Sequence, residues 1–374
     1  MLNLISKITL FLQKIYIYMI SLSNLWCSNK FKQQNLLFII KERKAYNTKT
    51  KAYGLYNSCE FVARKMREEG HIANTVQVID NNCIDKYVSL YKPTHCFIEA
   101  LWVVPSKFEV LAKLHPKVKW IIRLHSMVPF LTSEGMAFEW LNEYMELRKK
   151  GIDISISCNN DKAYEDLKEI YKNNISYTPN IYYPDHYIEK TINFNIPQND
   201  KEINIGCFGA LRVLKNHSQQ AIWAIEFANE IGKTLNFHIN ISEHEQKEAG
   251  PILRNLRAIF KNTKHKLVEH PWYNHTDFLG LVKKMDIGLQ VSFTETFNIT
   301  AADFVYLNIP IVVSTEIDFV QEQYRVNPTN KEEFLHALER AYYGAMHGAQ
   351  YDNFKLLRNH NHKSTKTWLK LLQK

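Results

Sequence analysis

The sequence predicts an α/β protein of two lobes, each a parallel sheet wrapped by helices, facing each other across a cleft. Three observations carry this expectation. Short apolar runs alternate with stretches of helical periodicity along most of the chain, the pattern of repeated strand–helix–strand units. The alternation stops over residues 180–202, which are rich in turn formers and lack a period, and then restarts. The chain has 374 residues, room for two domains at roughly 150 residues each.

Each element follows from its residues. LLFII (36–40) is short and wholly apolar, hence a buried strand. YGLYNSCEFVARKMREEG (53–70) spaces its apolar residues as a helix does, and Gly70 is a stop signal. TVQVID (75–80) is a strand, and CIDKYVSLYKP is a short helix ended before Pro93. THCFIEAL (94–101) is a strand, FEVLAKLHP a helix and KWIIRLHS (119–126) a strand. GMAFEWLNEYMELRKKG is a helix and DISISCNN (153–160) the next strand. After the break come strand INIGCFGA, helix HSQQAIWAIEFANEIG, strand TLNFHINI, a helix, and strand LVEHP. Helix DFLGLVKKM, strand DIGLQVS (286–292), helix ITAADFVYLN and strand IPIVVS follow, with a helical C-terminal part. The expected organisation is an apolar extension 1–30, a first lobe 31–185, a linker 186–202, a second lobe 203–355, and a helix 356–374 packing back on the first lobe.

Composition bounds the function. Apolar residues at 45% and charged residues at 23% exclude disorder, collagen-like repeats and coiled coil for the bulk of the chain. Six scattered cysteines with no CxxC pair read as reduced thiols of a cytosolic protein and argue against a structural zinc site. A net charge of +9 favours polyanionic partners such as nucleic acid, anionic lipid or phosphorylated ligands, although no run of five basic residues occurs and a Lys-rich solvated surface explains it equally. Residues 1–27 are apolar, but their longest uncharged stretch, Ile15 to Asn29, is short of the roughly 20 residues a spanning helix needs. No small-residue cleavage site follows it, so the segment reads as a docking helix, an unused upstream start, or an interfacial segment in contact with a membrane. No GxxxxGK[ST] or GxGxxG is present, which weakens kinase and dehydrogenase readings. His360-Asn361-His362 lacks the context of a nuclease, SEHEQKE around His244 lacks an i, i+4 histidine pair, and the N-x-S/T sequons are those an Asn-rich chain produces by chance.

In open parallel sheets ligands sit beyond the carboxyl ends of the strands, so informative residues should follow strands. DIGLQVSFTETFNITAADFVYLNIPIVVS (286–314) does so, and it resembles the donor-binding signature of retaining glycosyltransferases with the GT-B fold, of the family 4 and family 1 kind. In that family an acidic residue after a strand is followed by an aromatic, a glycine and a helix, with a second acid eight positions on. Here Glu295 is the first, Asp303 stands where glutamate is usual, and Asn298 where glycine is common. INIGCFGALRVLKNHSQQAI (203–222) resembles the segment that holds the donor diphosphate; Lys215 matches the family lysine, while the arginine after Gly209 is Ala210, with Arg212 as its substitute. WIIRLHS (120–126) resembles the first-lobe strand ending in a histidine near the donor sugar, here His125. TPNIYYPD (178–185) resembles the Pro-Asn turn that opens the linker, and YGLYNSCEFVARKM (53–66) the first helix of the acceptor lobe, with Gly54 in place of a glycine pair. The resemblance covers residues 36–330.

The resemblance implies two Rossmann-like domains and transfer of a hexose from a nucleotide sugar, in particular a UDP-sugar, with retention and with neither metal nor further cofactor. It implies catalytic roles for His125, Arg212, Lys215 and Glu295, and donor-binding roles for Gly54, Gly209, Thr296, Phe297, Asn298 and Asp303. The physics agrees: a diphosphate leaving group needs positive charge, which a lysine, an arginine and a helix N-terminus supply beside a glycine loop. A carboxylate at Glu295 suits sugar hydroxyls, and one at Asp303 the paired hydroxyls of a ribose. For the acceptor, a glycan or lipid-linked sugar stands beside DNA carrying a hydroxymethylated base, which would have to be flipped out. The basic loop Lys41–Lys51 and the aromatics Phe130, Phe138, Trp140 and Tyr144 are the candidates to meet it, and segment 125–144 is similar to that of glycosyltransferase-like proteins common in tailed-phage genomes. Two other classes remain: a nucleotide-sugar epimerase of the same fold, and a binding module that has lost its chemistry, for which Ala210 and the single glycine at Gly54 speak.

Overall fold

The computed structural model of the chain describes residues 32–42, 54–133, 135–185, 199–241 and 250–373. The apolar extension, residues 43–51 of the basic loop, linker residues 186–198 and His244 lie outside the described residues.

The chain folds into two six-stranded sheets, every described strand pairing being parallel. The first contains β1 (Asn35–Lys41), β2 (Ile72–Val78), β3 (His95–Glu99), β4 (Lys119–Leu124), β5 (Ile154–Cys158) and β6 (Ile175–Tyr177), in the order β2-β1-β3-β4-β5-β6. The second contains β7 (Glu202–Gly206), β8 (Thr234–Ile241), β9 (Lys266–Pro271), β10 (Ile287–Gln290), β11 (Ile311–Ser314) and β12 (Arg325–Val326), in the order β12-β11-β10-β7-β8-β9. Each order reverses at one place, between β1 and β3 in the first sheet and between β7 and β10 in the second. Loops leave in opposite directions there and open a crevice.

The helices flanking the sheets are α1 (Gly54–Glu68), α2 (Ile84–Tyr91), α3 (Lys107–Leu114), α4 (Val128–Leu131), α5 (Ala137–Lys149) and α6 (Asp161–Tyr171) in the first lobe. The second carries α7 (His217–Glu230), α8 (Gly250–Phe260), α9 (His275–Val282), α10 (Ile299–Tyr306), α11 (Lys331–Ala345) and α12 (Tyr351–Leu372). The all-apolar strands are buried because helices cover both sheet faces; Leu36 to Ile40 are all buried. The second lobe nests Phe304 of α10 against two strands that carry glycine at the contact. A Cβ on Gly288 would lie 2.6 Å from the Phe304 ring, and one on Gly206 3.0 Å from it.

Four elements differ from the sequence expectation. Strand β2 runs Ile72–Val78, because it pairs residue for residue with β1 and then yields to a turn in which Asp80 accepts from the Asn82 N–H. Helix α6 was hidden by its polar surface. Its apolar residues Ala163, Leu167 and Tyr171 share one face, and Asn160 caps it by accepting from the Ala163 N–H. β6 and β12 are only three and two residues long, too short for a periodic signal.

Helix α12 ties the lobes together. Phe354 and Leu357 join the second-lobe core, whereas Trp368 is fully buried against Phe38 and Phe97 of the first. The Trp368 indole donates to the Pro179 carbonyl at 2.7 Å. Asn361 clasps the Tyr182 backbone, accepting from its N–H at 2.9 Å and donating to its carbonyl at 2.8 Å. His360 packs on Phe297 and faces the Asn180 carbonyl. His360 and Asn361 of the triplet are thus structural. No described helix is long and apolar enough to cross a membrane.

Candidate active site

The switch-point crevice of the second sheet is lined by the loops after β7 and β10. The first begins with Gly209, whose φ of +122° only glycine adopts readily. Its N–H is not free for a ligand, since it donates to Asn240 Oδ1 at 2.7 Å. Next, Arg212 lays its guanidinium over the Phe130 ring of α4, 5.2 Å away in the opposite lobe. A single turn, Val213–Lys215, then leads into α7 through Asn216 in the left-handed conformation.

The second loop is built around Glu295, which is 6% exposed. Its Oε1 accepts from the Lys215 ammonium, from Ser292 Oγ at 2.7 Å and from Asn298 Nδ2 at 3.0 Å. The two loops are also joined through the backbone, Phe293 N–H donating to the Leu214 carbonyl at 2.9 Å. Asn298 stands at φ 59°, a left-handed angle that asparagine tolerates. Its Oδ1 caps α10 at the Ala301 N–H and its Nδ2 reaches Gln290. Asn298 thus meets a left-handed backbone demand and caps the helix as well.

Across the cleft, His125 follows β4 and its Nε2 lies 2.5 Å from Glu99 Oε2. Glu99 is fully buried, and the same oxygen accepts from Arg123 at 3.1 Å. Burial alone would raise the Glu99 pKa, but the Arg123 charge and the His125 bond outweigh it and hold the carboxyl below its usual range. Arg123, also fully buried, spends its other donors on Thr178 and on Asn180 Oδ1. Burial, aided by Arg123 and opposed by Glu99, lowers the His125 pKa, so its ring is neutral at pH 7.

The lobes meet at Thr296. Asn159 Nδ2 donates to Thr296 Oγ1 at 3.2 Å, Asn160 Nδ2 to the Thr296 carbonyl at 2.8 Å, and Thr296 Oγ1 to the His125 carbonyl at 3.3 Å. His125, Lys215, Glu295, Thr296 and Asn298 thus belong to one connected constellation, with Arg212 joined to it across the cleft through Phe130. Glu99, Asn159 and Asn160 were not singled out from the sequence. Asn159 and Asn160 directly follow β5, so the expectation that ligands sit beyond strand ends could have pointed to them.

Three expected donor-site residues are placed otherwise. Asp303 is 1% exposed, and its Oδ1 accepts from Tyr182 OH and from His275 Nε2, each at 2.7 Å. That oxygen is engaged by Tyr182 and by His275 of α9, so a ribose would have to compete for it. The Phe297 side chain is buried against Phe319 and His360, leaving only its backbone for a ligand. Gly54 opens α1, and nothing lies within 4 Å of a Cβ built on it, so no close approach of structure requires glycine there. Of the aromatics in segment 125–144, only Phe130 lies across from the second-lobe loops. Tyr144 is fully buried with its hydroxyl on the Val103 carbonyl, and Phe138 and Trp140 pack on the first-lobe core, because the apolar face of α5 is needed to cover β5. One group of potential metal ligands occurs among the described residues, Cys59, Glu99 and His125. Arg123 already compensates Glu99, and burial holds the Cys59 thiol well above its ordinary range, which disfavours a cation there.

Neither protein-family models nor curated protein sequences match the chain. Solved structures do. An α,α-trehalose-6-phosphate synthase from Burkholderia multivorans superposes with a TM-score of 0.62 at 11% identity, covering 91% of this chain and 96% of that one. The N-terminal domain of Candida albicans trehalose-6-phosphate phosphatase gives a TM-score of 0.62 at 13% identity, over 92% and 98%. Anabaena HepE, in complex with UDP and glucose, gives 0.57 at 10% identity, over 91% and 97%. The chain has the GT-B fold, two Rossmann-like parallel α/β domains.

Proposed function

We propose that the protein is a glycosyltransferase that moves a hexose from a nucleotide sugar, in particular a UDP-sugar, to an acceptor hydroxyl. The observation that carries this reading is the Lys215–Glu295 pair at the switch point of the second sheet, in a loop that Thr296 joins to His125 of the first. A nucleotide sugar needs three things of such a place: cationic charge for the departing diphosphate, a carboxylate for sugar hydroxyls, and an opposing lobe to enclose the sugar. Lys215, with Arg212 behind it, supplies the first at the entrance to α7, whose N-terminal N–H groups add to it. Glu295 supplies the second and His125 the third. Support also comes from HepE, a structure of the same fold that holds UDP and glucose.

In this mechanism the bond between the anomeric carbon and the diphosphate oxygen breaks, and Lys215 and Arg212 neutralise the charge that develops on that oxygen. These cations do without a metal what a bound metal does elsewhere. Attack by the acceptor hydroxyl on the face the diphosphate leaves forms the new bond with retention, and the hydroxyl proton passes to the departing diphosphate oxygen. The acceptor is a glycan or lipid-linked sugar, or a hydroxymethylated DNA base. Phe130, whose ring lies 5.2 Å from the Arg212 guanidinium, is the side chain assigned to meet it.

A second reading, a nucleotide-sugar-binding module without transfer activity, is favoured by two observations: Ala210 at the family arginine position, and the Asp303 carboxylate held by Tyr182 and His275. Thermal-shift measurement against UDP, GDP, ADP, CMP and the common sugar nucleotides tests both. A ligand at about 100 times its dissociation constant adds about 2.7 kcal/mol, which is several degrees for domains of this size. A shift with one nucleotide identifies the donor, and release of that nucleotide in the presence of acceptors then separates enzyme from module. No shift with any of them removes the transferase reading.

A further inference from the structure

The bond between His125 and Glu99 fixes more than the place of the imidazole. In a neutral histidine one ring nitrogen carries the proton and the other accepts, and the partner of one decides the role of the other. A carboxylate only accepts. Glu99 is held ionised by Arg123, so the His125 nitrogen facing it, Nε2, must be the N–H. Nδ1 is then the acceptor, and the group facing it is a donor, Asn159 Nδ2 at 3.3 Å. Glu99 and Asn159 agree on one tautomer, and the Arg123 guanidinium, 3.5 Å from Nε2, is a much longer contact than Glu99 at 2.5 Å.

We propose that Glu99 is a positioning residue: it keeps the proton of His125 on Nε2, so that Nδ1 presents a lone pair and a donor-sugar hydroxyl donates to it rather than accepting from it. The long contact with Asn159 is the one a hydroxyl would replace, at small cost. Asn159 Nδ2 retains Thr296 Oγ1 at 3.2 Å when it does. Arg123 completes the device. It pairs with Glu99 Oε2, the same oxygen that faces His125, and is anchored by Thr178 and Asn180 at the start of the interlobe segment, which holds that oxygen in place. The pattern also carries specificity. A sugar position bearing a hydroxyl fits Nδ1, whereas a deoxy sugar leaves it only the long contact with Asn159. This inference rests on the nucleotide-sugar reading for the identity of the ligand, but not for the tautomer.

The test is carried out on the full chain. Ring nitrogen-15 NMR at pH 7.5, with His125 assigned through His125→Asn, should show Nε2 protonated and Nδ1 bare. Glu99→Asp keeps a charge beside Arg123 but shortens the reach to His125, and should give a mixture of tautomers. The same variant should bind UDP-glucose about tenfold more weakly than the parent while binding UDP unchanged. Loss of packing alone would weaken both ligands together. A wild-type ring protonated on Nδ1 overturns the proposal, as does equal weakening of UDP and UDP-glucose, or no change in either. If the wild type binds neither nucleotide, the transferase reading falls and the sugar contact with it, while the NMR spectrum still decides the tautomer.

Discussion

Asp303 and His275 form a buried ion pair, with His275 Nε2 2.7 Å from Asp303 Oδ1 and the Tyr182 hydroxyl on the same oxygen. Burial alone would lower the pKa of His275. Asp303, with a contribution from Asp185, outweighs it and raises the pKa above the ordinary 6.5. A group whose pKa is raised on folding stabilises the fold fully below its unfolded value and loses that contribution as pH rises through the folded value. His275→Gln should therefore be destabilising at pH 6 and much less so at pH 9, as measured by urea denaturation. An effect that grows with pH would contradict the pairing.

Removing the acid of that pair acts on the same bond. Asp303→Asn removes the main charge that holds the His275 proton, so the ring is more readily neutral and the loss, about 1–3 kcal/mol for a broken charged hydrogen bond, should be largest at pH 6. The same variant separates structural from ligand roles. If Asp303 only holds the lobes, UDP affinity of the folded fraction is unchanged. If it also reads the ribose, UDP affinity falls as well.

Lys215→Ala should reduce transfer by about 10²–10³, the usual loss when one charge-stabilising donor is removed from an active site. The fold should survive, because the Lys215 side chain is partly exposed and Glu295 keeps its bonds from Ser292 and Asn298. Glu295→Gln should lose activity with unchanged UDP binding, since its carboxylate is assigned to the sugar. Circular dichroism and UDP calorimetry beside the rate assay check all three statements.

Much of this architecture was legible in the residues, for a physical reason. Strands such as LLFII and IPIVVS lie between two helical layers, so they are wholly apolar and stand out, and the same burial makes Gly206 and Gly288 part of the pattern. Lys215, Glu295 and His125 stood out because they follow strands in segments that resemble those of a known family. What stayed hidden depends on partners distant in sequence. Asp303 is bound by Tyr182 and His275, which lie 121 and 28 residues away, and no local spacing reveals that. Glu99 looked like the polar end of a strand until Arg123, 24 residues on, was seen to pair with it.

Asn298 offers a cleaner test of a loop than of chemistry. Asn298→Gly should cost about 1–2 kcal/mol, because glycine adopts the left-handed angle but loses the capping oxygen and the bonds to buried Gln290 and Glu295. Asn298→Ala loses the same bonds and also strains the backbone, and should cost about 1–2 kcal/mol more. Equal losses for the two would mean that the angle at 298 is not maintained in solution.

His217, the first residue of α7, presents the opposite electrostatic case to His275. It is 2% exposed, and neither ring nitrogen has a hydrogen-bond partner. Burial, assisted by the nearby Lys215 charge, lowers its pKa to about 3. A lowered base takes up its proton more readily when unfolded, so stability falls as pH drops below the ordinary 6.5 toward the folded value. An unpartnered buried imidazole also contributes nothing that a similar apolar side chain could not. His217→Leu should therefore be neutral or stabilising at pH 7.5 and clearly stabilising at pH 5, with a flatter acid limb in the stability profile. The wild-type ring would otherwise have to be matched by a group that binds there. If His217→Leu instead destabilises the protein at both pH values and weakens UDP binding, the imidazole is serving the ligand site beside Lys215 rather than merely filling space.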